Sequence, residues 1–380
     1  MSLTPKTDSL PPRDVLQKFL LGFEGTSLPD DLRRLLAGGL GGVALYPRNF
    51  KTAKGLRALT ADIRRAAGGP VLIGIDQEGG TKFSLPEPFT PWVSPEELGQ
   101  LNDATAVEEQ AVAMARELRA VGINLNFAPM LDLHLNPDSP VTKGRSFGRD
   151  PQRVSRLGAP FIRGLGQGGV LACAKHFPGH GDTTTDPHED LPVFQGTVRQ
   201  LESSHLLPFD AAIGEGVLLV MTAHILLPQI APDHPASLSR KLLTEVLRER
   251  MEYKGVILAD DLGMGAIANR YGIGDAAVMA LQAGCDMLML CHDWSLAWPA
   301  IKKVAAMRQR SGFVESEWRA SRTRIARVCE TACTDRLHDR GPGLDVVGCS
   351  DHRKLAQGIR ERTRKIRPKA QQEMKNGVAG

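Results

Sequence analysis

The stretch KGVILADDLG, Lys254 to Gly263, decides how the chain must fold. Its apolar run lacks the polar alternation of a strand with one wet face, so it reads as a strand covered on both sides. It then ends in two carboxylates, Asp260 and Asp261, and a glycine. Helix N-capping accounts for one aspartate but not for two. Seven other segments share this grammar: QKFLLGFEG (17–25), GGVALYPRN (41–49), PVLIGIDQEGG (70–80), INLNFAPMLD (123–132), VLACAKHFPG (170–179), GVLLVMTAHI (216–225) and CDMLMLCHD (285–293).

Between these runs lie helical patterns. AVEEQAVAMARELRAVG (106–122) spaces its apolar residues helically, and SRKLLTEVLRERMEYKG (239–255) ends at a glycine stop. Strands alternating with helices imply a parallel sheet. Eight units within about 300 residues predict a single-domain (β/α)8 barrel, with a doubly wound open sheet as the alternative. The expected organisation is an N-terminal arm over 1–15, the barrel over 16–333, a linker over 334–350 and a basic helix with a frayed end over 351–380. Lying beyond the eighth unit, that helix reads as peripheral to the barrel.

The 380 residues carry a net charge of +4, unevenly placed. Residues 351–380 hold nine Lys/Arg against three Asp/Glu, which is +6 and leaves −2 for the body. A near-neutral body argues against a surface built to grip nucleic acid or anionic lipid. The opening MSLTPKTDSLPPRD has no apolar signal-like run, and the six cysteines show no framework spacing. The expectation is a cytoplasmic protein with reduced thiols and no membrane insertion. Cys329 and Cys333 lie one helical turn apart, but no second pair is spaced to join them around zinc.

Ionisable residues gather behind the predicted strands, where a barrel builds its sites. His134, His176, His180, His188, His224 and His292 follow strands, and Asp76, Asp132, Asp260 and Asp286 lie at strand edges. The densest cluster is AKHFPGHGDTTTDPHEDLP (174–192). In its DPH tripeptide, Asp186 stands two residues from His188, so the carboxylate can fix one ring nitrogen and leave the other to exchange a proton. His176, His180, His188 and Asp182 could be metal ligands, but the intervening FPG breaks the helical spacing such a site would use. Either Asp260 or Asp261 could act as a nucleophile. Arg145 and Arg149 of GRSFGRDP can hydrogen-bond to sugar oxygens, and Arg149 reads as solvated.

Taken in series, DQEGG, NLNFAPMLDL, GRSFGRDP, KHFPGHGDTTTDPH, MTAH and ADDLGM resemble the motifs of family 3 glycoside hydrolases, within them the bacterial β-N-acetylglucosaminidases (β-N-acetylhexosaminidases). The resemblance spans residues 16–330. It implies a retaining mechanism with Asp260 as nucleophile, His188 as acid/base, Asp186 as its partner, and Asp76, Arg145, Lys175 and His176 as sugar-binding residues. It implies no cofactor and no metal. The partner is a small carbohydrate, a β-N-acetylglucosaminide or muropeptide-like fragment of peptidoglycan recycling, and the protein a monomer or weak dimer. Ending at 380, the chain is expected to lack the second domain of the β-glucosidases of the family.

Three positions depart from the family pattern. Thr81 and Ser84 stand where arginines are common, with Lys82 between them, and Pro187 stands where Ser or Thr is usual. Pro178, Gly179 and Gly181 are expected to hinge the loop that carries His188. Two alternatives remain: a phosphorylase or β-glucosidase of the same family, since a neutral imidazole does not repel phosphate, and an inactive sugar-binding barrel.

Overall fold

The computed structural model describes residues 10–181, 183, 185–310, 314–333 and 341–377. Eight parallel strands form a closed barrel in chain order: β1 (Phe19–Leu21), β2 (Gly42–Leu45), β3 (Leu72–Ile75), β4 (Leu125–Asn126), β5 (Leu171–Phe177), β6 (Leu219–Thr222), β7 (Val256–Asp261) and β8 (Met287–Leu290). Each lies within one of the eight apolar segments. Pairing of β1 with β8 closes the ring and excludes the open sheet.

Strand residues alternate between two cores. Leu20, Leu72, Leu125, Cys173, Leu219, Val256, Leu258 and Met287 fill the barrel interior. Their neighbours, among them Phe19, Ile73, Val220, Ile257 and Leu288, pack outward against the helices. The helix Glu315–Cys333 adds Ile325, Val328, Cys329 and Ala332 to the interior core, at the end where the strands begin. The predicted helix at 106–122 is Ala104–Ala120, and the segment 239–255 winds as a π-helix over Lys241–Arg250.

Asp286 does not join the reaction face. It precedes β8 at the opposite end of the barrel, where it is fully buried and paired with Arg248 and Arg324 at 2.8 and 2.7 Å. A cavity of about 400 Å3 opens there, but these two arginines are already committed to Asp286.

Both chain ends differ from expectation. Residues 1–9 and 334–340 lie outside the described residues. Within the expected arm, however, Val15 is fully buried, and Asp14 accepts hydrogen bonds from Arg308 and Trp318 at 3.2 and 3.0 Å. The basic helix forms over Ser350–Gly377 but is not peripheral. Its Ala356, Ile359 and Thr363 are buried where it packs on the helices Pro95–Leu101 and Ala104–Ala120. His352 donates to buried Glu117 at 2.9 Å, and Arg360 reaches the Trp92 carbonyl at 3.2 Å.

Truncating Ile359 should therefore cost stability. Ile359→Ala is expected to lower the unfolding free energy by about 3 kcal/mol in urea titration. A change under about 1 kcal/mol would mean that the helix is undocked in solution.

Candidate active site

A cavity of about 390 Å3 opens over the strand C-termini. Its lining includes Asp76, Arg145, Lys175, His176, Asp186, His188 and Asp260, which brings together all seven site residues expected from sequence.

On the β3–β5 side the cavity rests on buried charge. Glu78, 1% exposed, accepts a bidentate pair from Arg145 at 2.8 and 2.7 Å. Lys175 adds a contact to Glu78 at 2.8 Å and one to Asp76 at 2.6 Å. Burial alone would raise the Glu78 carboxyl, but Arg145 and Lys175 hold it down at about 2. The Lys175 ammonium, which burial would discharge, is kept charged by Asp76 and Glu78. The cations thus arrive already oriented, with the Asp76 carboxylate still partly exposed.

Buried Asp132 anchors the next part. It accepts from His176 Nδ1 at 2.7 Å and from the amide of His180 at 2.7 Å. Burial pushes His180 down to about 4, only partly offset by Asp132, so at neutral pH its ring is uncharged. Gly179 and Gly181, expected to hinge the dyad loop, are closely packed. Both glycines are buried, and a Cβ at Gly181 would meet the Leu133 carbonyl at 2.8 Å. Asp182, weighed as a metal ligand, lies outside the described residues. Among the described residues, no group of three or more His, Cys, Asp or Glu side chains is placed to hold a metal ion. Arg149 is exposed.

The two aspartates of β7 have different tasks. Asp261 is buried, and its carboxylate accepts from the amides of Gly263, Cys291 and His292 at 2.9, 3.2 and 3.1 Å and from His292 Nδ1 at 2.5 Å. It ties β7 to the end of β8, and although Asp261 also borders the cavity its carboxylate is committed to these four donors. Asp260 lines the cavity, and the Asp261 amide is the one donor to it among the described residues, at 2.8 Å. Burial would raise the Asp260 carboxyl, but His176 and His224 together draw it below the usual range. His224 is fixed beneath by Ser237 at 2.7 Å and by the Asp261 carbonyl at 3.1 Å.

His188 and Asp186 sit on the opposite rim. His188 donates both its amide and its Nδ1 to Asp186 Oδ1, each at 2.9 Å, which leaves Nε2 as the nitrogen able to exchange a proton. The dyad loop is docked by its main chain: Ala266 N donates to the Pro187 carbonyl at 3.1 Å and Gly265 N to the His188 carbonyl at 3.3 Å. His292 lies edge-on, 6.0 Å from His188. Its hydrogen bond to Asp261 raises its pKa, against the effect of burial.

Sequence reasoning assigned no role to Asp132, His292 or Glu78. Each works through a partner 31 to 67 residues away, a pairing no local spacing reveals.

Residues 21–328 match the Glycosyl hydrolase family 3 N terminal domain. A β-hexosaminidase of Thiobacillus denitrificans is 35% identical over 321 residues, covering 82% of this chain and 86% of that one. The solved glycoside hydrolase family 3 β-N-acetylglucosaminidase of Paenibacillus sp. str. FPU-7 is similar at TM-score 0.87 and 34% identity, over 94% of this chain and 69% of that one. NagZ of Neisseria gonorrhoeae, solved with N-trifluoroacetyl-D-glucosamine, is similar at TM-score 0.74 and 29% identity, over 93% of this chain and 99% of that one.

The division between the two aspartates is measurable without substrate. Asp261→Ala should cost about 3 kcal/mol, since it strands buried donors, while Asp260→Ala should stay within about 1 kcal/mol of the parent. Denaturant titration of both variants checks this, and equal losses would contradict the assignment.

Proposed function

The chain belongs to glycosyl hydrolase family 3, and on that premise we propose that it removes terminal β-linked N-acetylglucosamine with retention of configuration. The observation that carries this reading is the contrast within β7: Asp260 presents an ionised, cavity-facing carboxylate while Asp261 is wholly engaged. No described helix is long and apolar enough to cross a membrane.

In the first step an Asp260 oxygen attacks C1 of the sugar. The glycosidic bond breaks, and His188 Nε2–H delivers its proton to the departing oxygen. Asp186 fixes the tautomer and stabilises the imidazolium. In the second step the neutral imidazole takes a proton from water, the water oxygen attacks C1, and the Asp260 carboxylate is released. Retaining glycosidases generally use two carboxylates for these steps; here an imidazole replaces one. Asp76, Arg145, Lys175 and His176 hold sugar hydroxyls. Muropeptide-like cell-wall fragments are the natural substrates to which the family resemblance points.

Trapping with a fluorinated slow substrate should label the peptide containing Asp260, and Asp260→Ala should abolish turnover in a folded protein. A label on Asp261 would overturn the assignment. Running the same assay with inorganic phosphate separates hydrolysis from phosphorolysis, since only the latter yields a sugar 1-phosphate.

The acid/base role makes a leaving-group prediction. His188→Ala should cripple cleavage of a disaccharide, whose leaving oxygen needs the proton, far more than glycosyl-enzyme formation from a dinitrophenyl glycoside. Deglycosylation then becomes slow, so product should appear as a burst, and azide should restore turnover as a β-glycosyl azide. Equal losses on both substrates without azide rescue would make His188 structural.

A further inference from the structure

Phe83 is a bulky residue held in the left-handed backbone region, with φ of 46°. Its side chain is 40% exposed, one of the few large apolar groups left in solvent. Such a conformation persists only where the surroundings enforce it. Here the Glu78 amide donates to the Phe83 carbonyl at 2.8 Å, and the Leu85 amide donates to Gln77 at 3.4 Å on the far side. The ring lies over the Arg145 guanidinium at 4.2 Å and 5.5 Å from the Lys175 ammonium. Next to it, Lys82 donates to the Pro140 carbonyl at 3.1 Å and so bridges the loops after β3 and β4. Phe83, Lys82 and Pro140 all line the cavity.

Position in the ring gives this wall a direction. The dyad loop docks on the segment after β7 and faces His292 after β8. In a closed eight-stranded barrel β3 stands opposite β7. Phe83 and His188 therefore occupy opposite rims of one cavity. With C1 over Asp260 and the leaving oxygen at His188, the far end of the sugar, which carries its 4-hydroxyl, points at Phe83.

We propose that Phe83 is a specificity-determining residue that closes the non-reducing end of the sugar site, so that a sugar substituted on its 4-oxygen is refused. This inference rests on the hydrolase reading above. The ring offers the C–H edge of the sugar an apolar surface, and the Lys82–Pro140 bridge closes the gap beside it. Phe83 lies between Thr81 and Ser84, the two positions where this loop departs from the family pattern.

The test compares p-nitrophenyl N-acetyl-β-glucosaminide with its 4-O-methyl derivative on the full chain. The parent should favour the unblocked sugar strongly in kcat/KM. Phe83→Ala should narrow that preference by about tenfold or more, chiefly by lowering KM for the blocked sugar, while KM for the unblocked sugar rises about threefold or more. Phe83→Gly, which fits the left-handed backbone without strain, should behave the same way and guards against misfolding of the alanine variant. If both variants cleave the unblocked sugar with the parent's preference intact, the inference is overturned. If the parent itself cleaves neither sugar, the hydrolase reading fails and this inference falls with it, an outcome visible before any variant is made.

Discussion

Glu78 has almost no contact with water and remains ionised because Arg145 and Lys175 close on it. Breaking such a buried pair by removing one partner costs about 3–5 kcal/mol, because a charge is left without compensation. The consequence is geometric as much as energetic. Glu78 follows β3, Arg145 lies in the loop after β4 and Lys175 lies in β5, so one carboxylate ties together three consecutive units of the barrel. Arg145 also donates to the Val141 carbonyl at 2.9 Å, which fixes its guanidinium while one face lies against Phe83. Lys175 is held between Glu78 and Asp76, so the polar end of the cavity is oriented before any ligand arrives.

Asp261 does the same for β7 and β8. Four donors fill its carboxylate, and they come from both sides of the barrel seam. Its neighbour Asp260 is spared that work. A reactive carboxylate beside a structural one is economical, because the structural one fixes the backbone from which the other projects. The strand pairing shifts register between Ala259 and Asp261, where a regular ladder gives way to this bonding.

Much of the barrel was legible in the sequence. Each strand is a short apolar run bounded by polar or glycine-rich residues, and no long-range knowledge is needed to see eight of them. The choice between Asp260 and Asp261 was different. Val256 and Leu258 face the barrel interior, so by strand alternation Asp260 is the next inward position. A run apolar on both faces hides which parity is inward. Asp286 was misplaced although its signal was present, for it precedes the apolar run MLML and so belongs to the other end of the barrel. The docked helix carried Ala356, Ile359 and Thr363 at helical spacing, but its basic charge drowned that stripe. Asp132, Glu78 and His292 were beyond reach for a simpler reason: their roles exist only once distant strands have met.

The acid/base loop is built on a different principle from the floor beneath it. His188 and Asp186 are two residues apart, and their contacts are local, so the dyad is assembled by the loop itself. Docking then has only to place a finished unit. It does so through main-chain bonds to Gly265 and Ala266, and the approach is so close that a Cβ at Gly265 would stand 2.6 Å from the His188 carbonyl and 2.8 Å from that of Glu189. The glycine lies five residues past Asp260, on the segment that leaves β7. The strand that offers the proposed nucleophile therefore also supplies the seat for the proposed acid/base. Any shift of β7 carries both groups together, and their separation is set by a few residues of one chain segment rather than by the packing of the whole barrel.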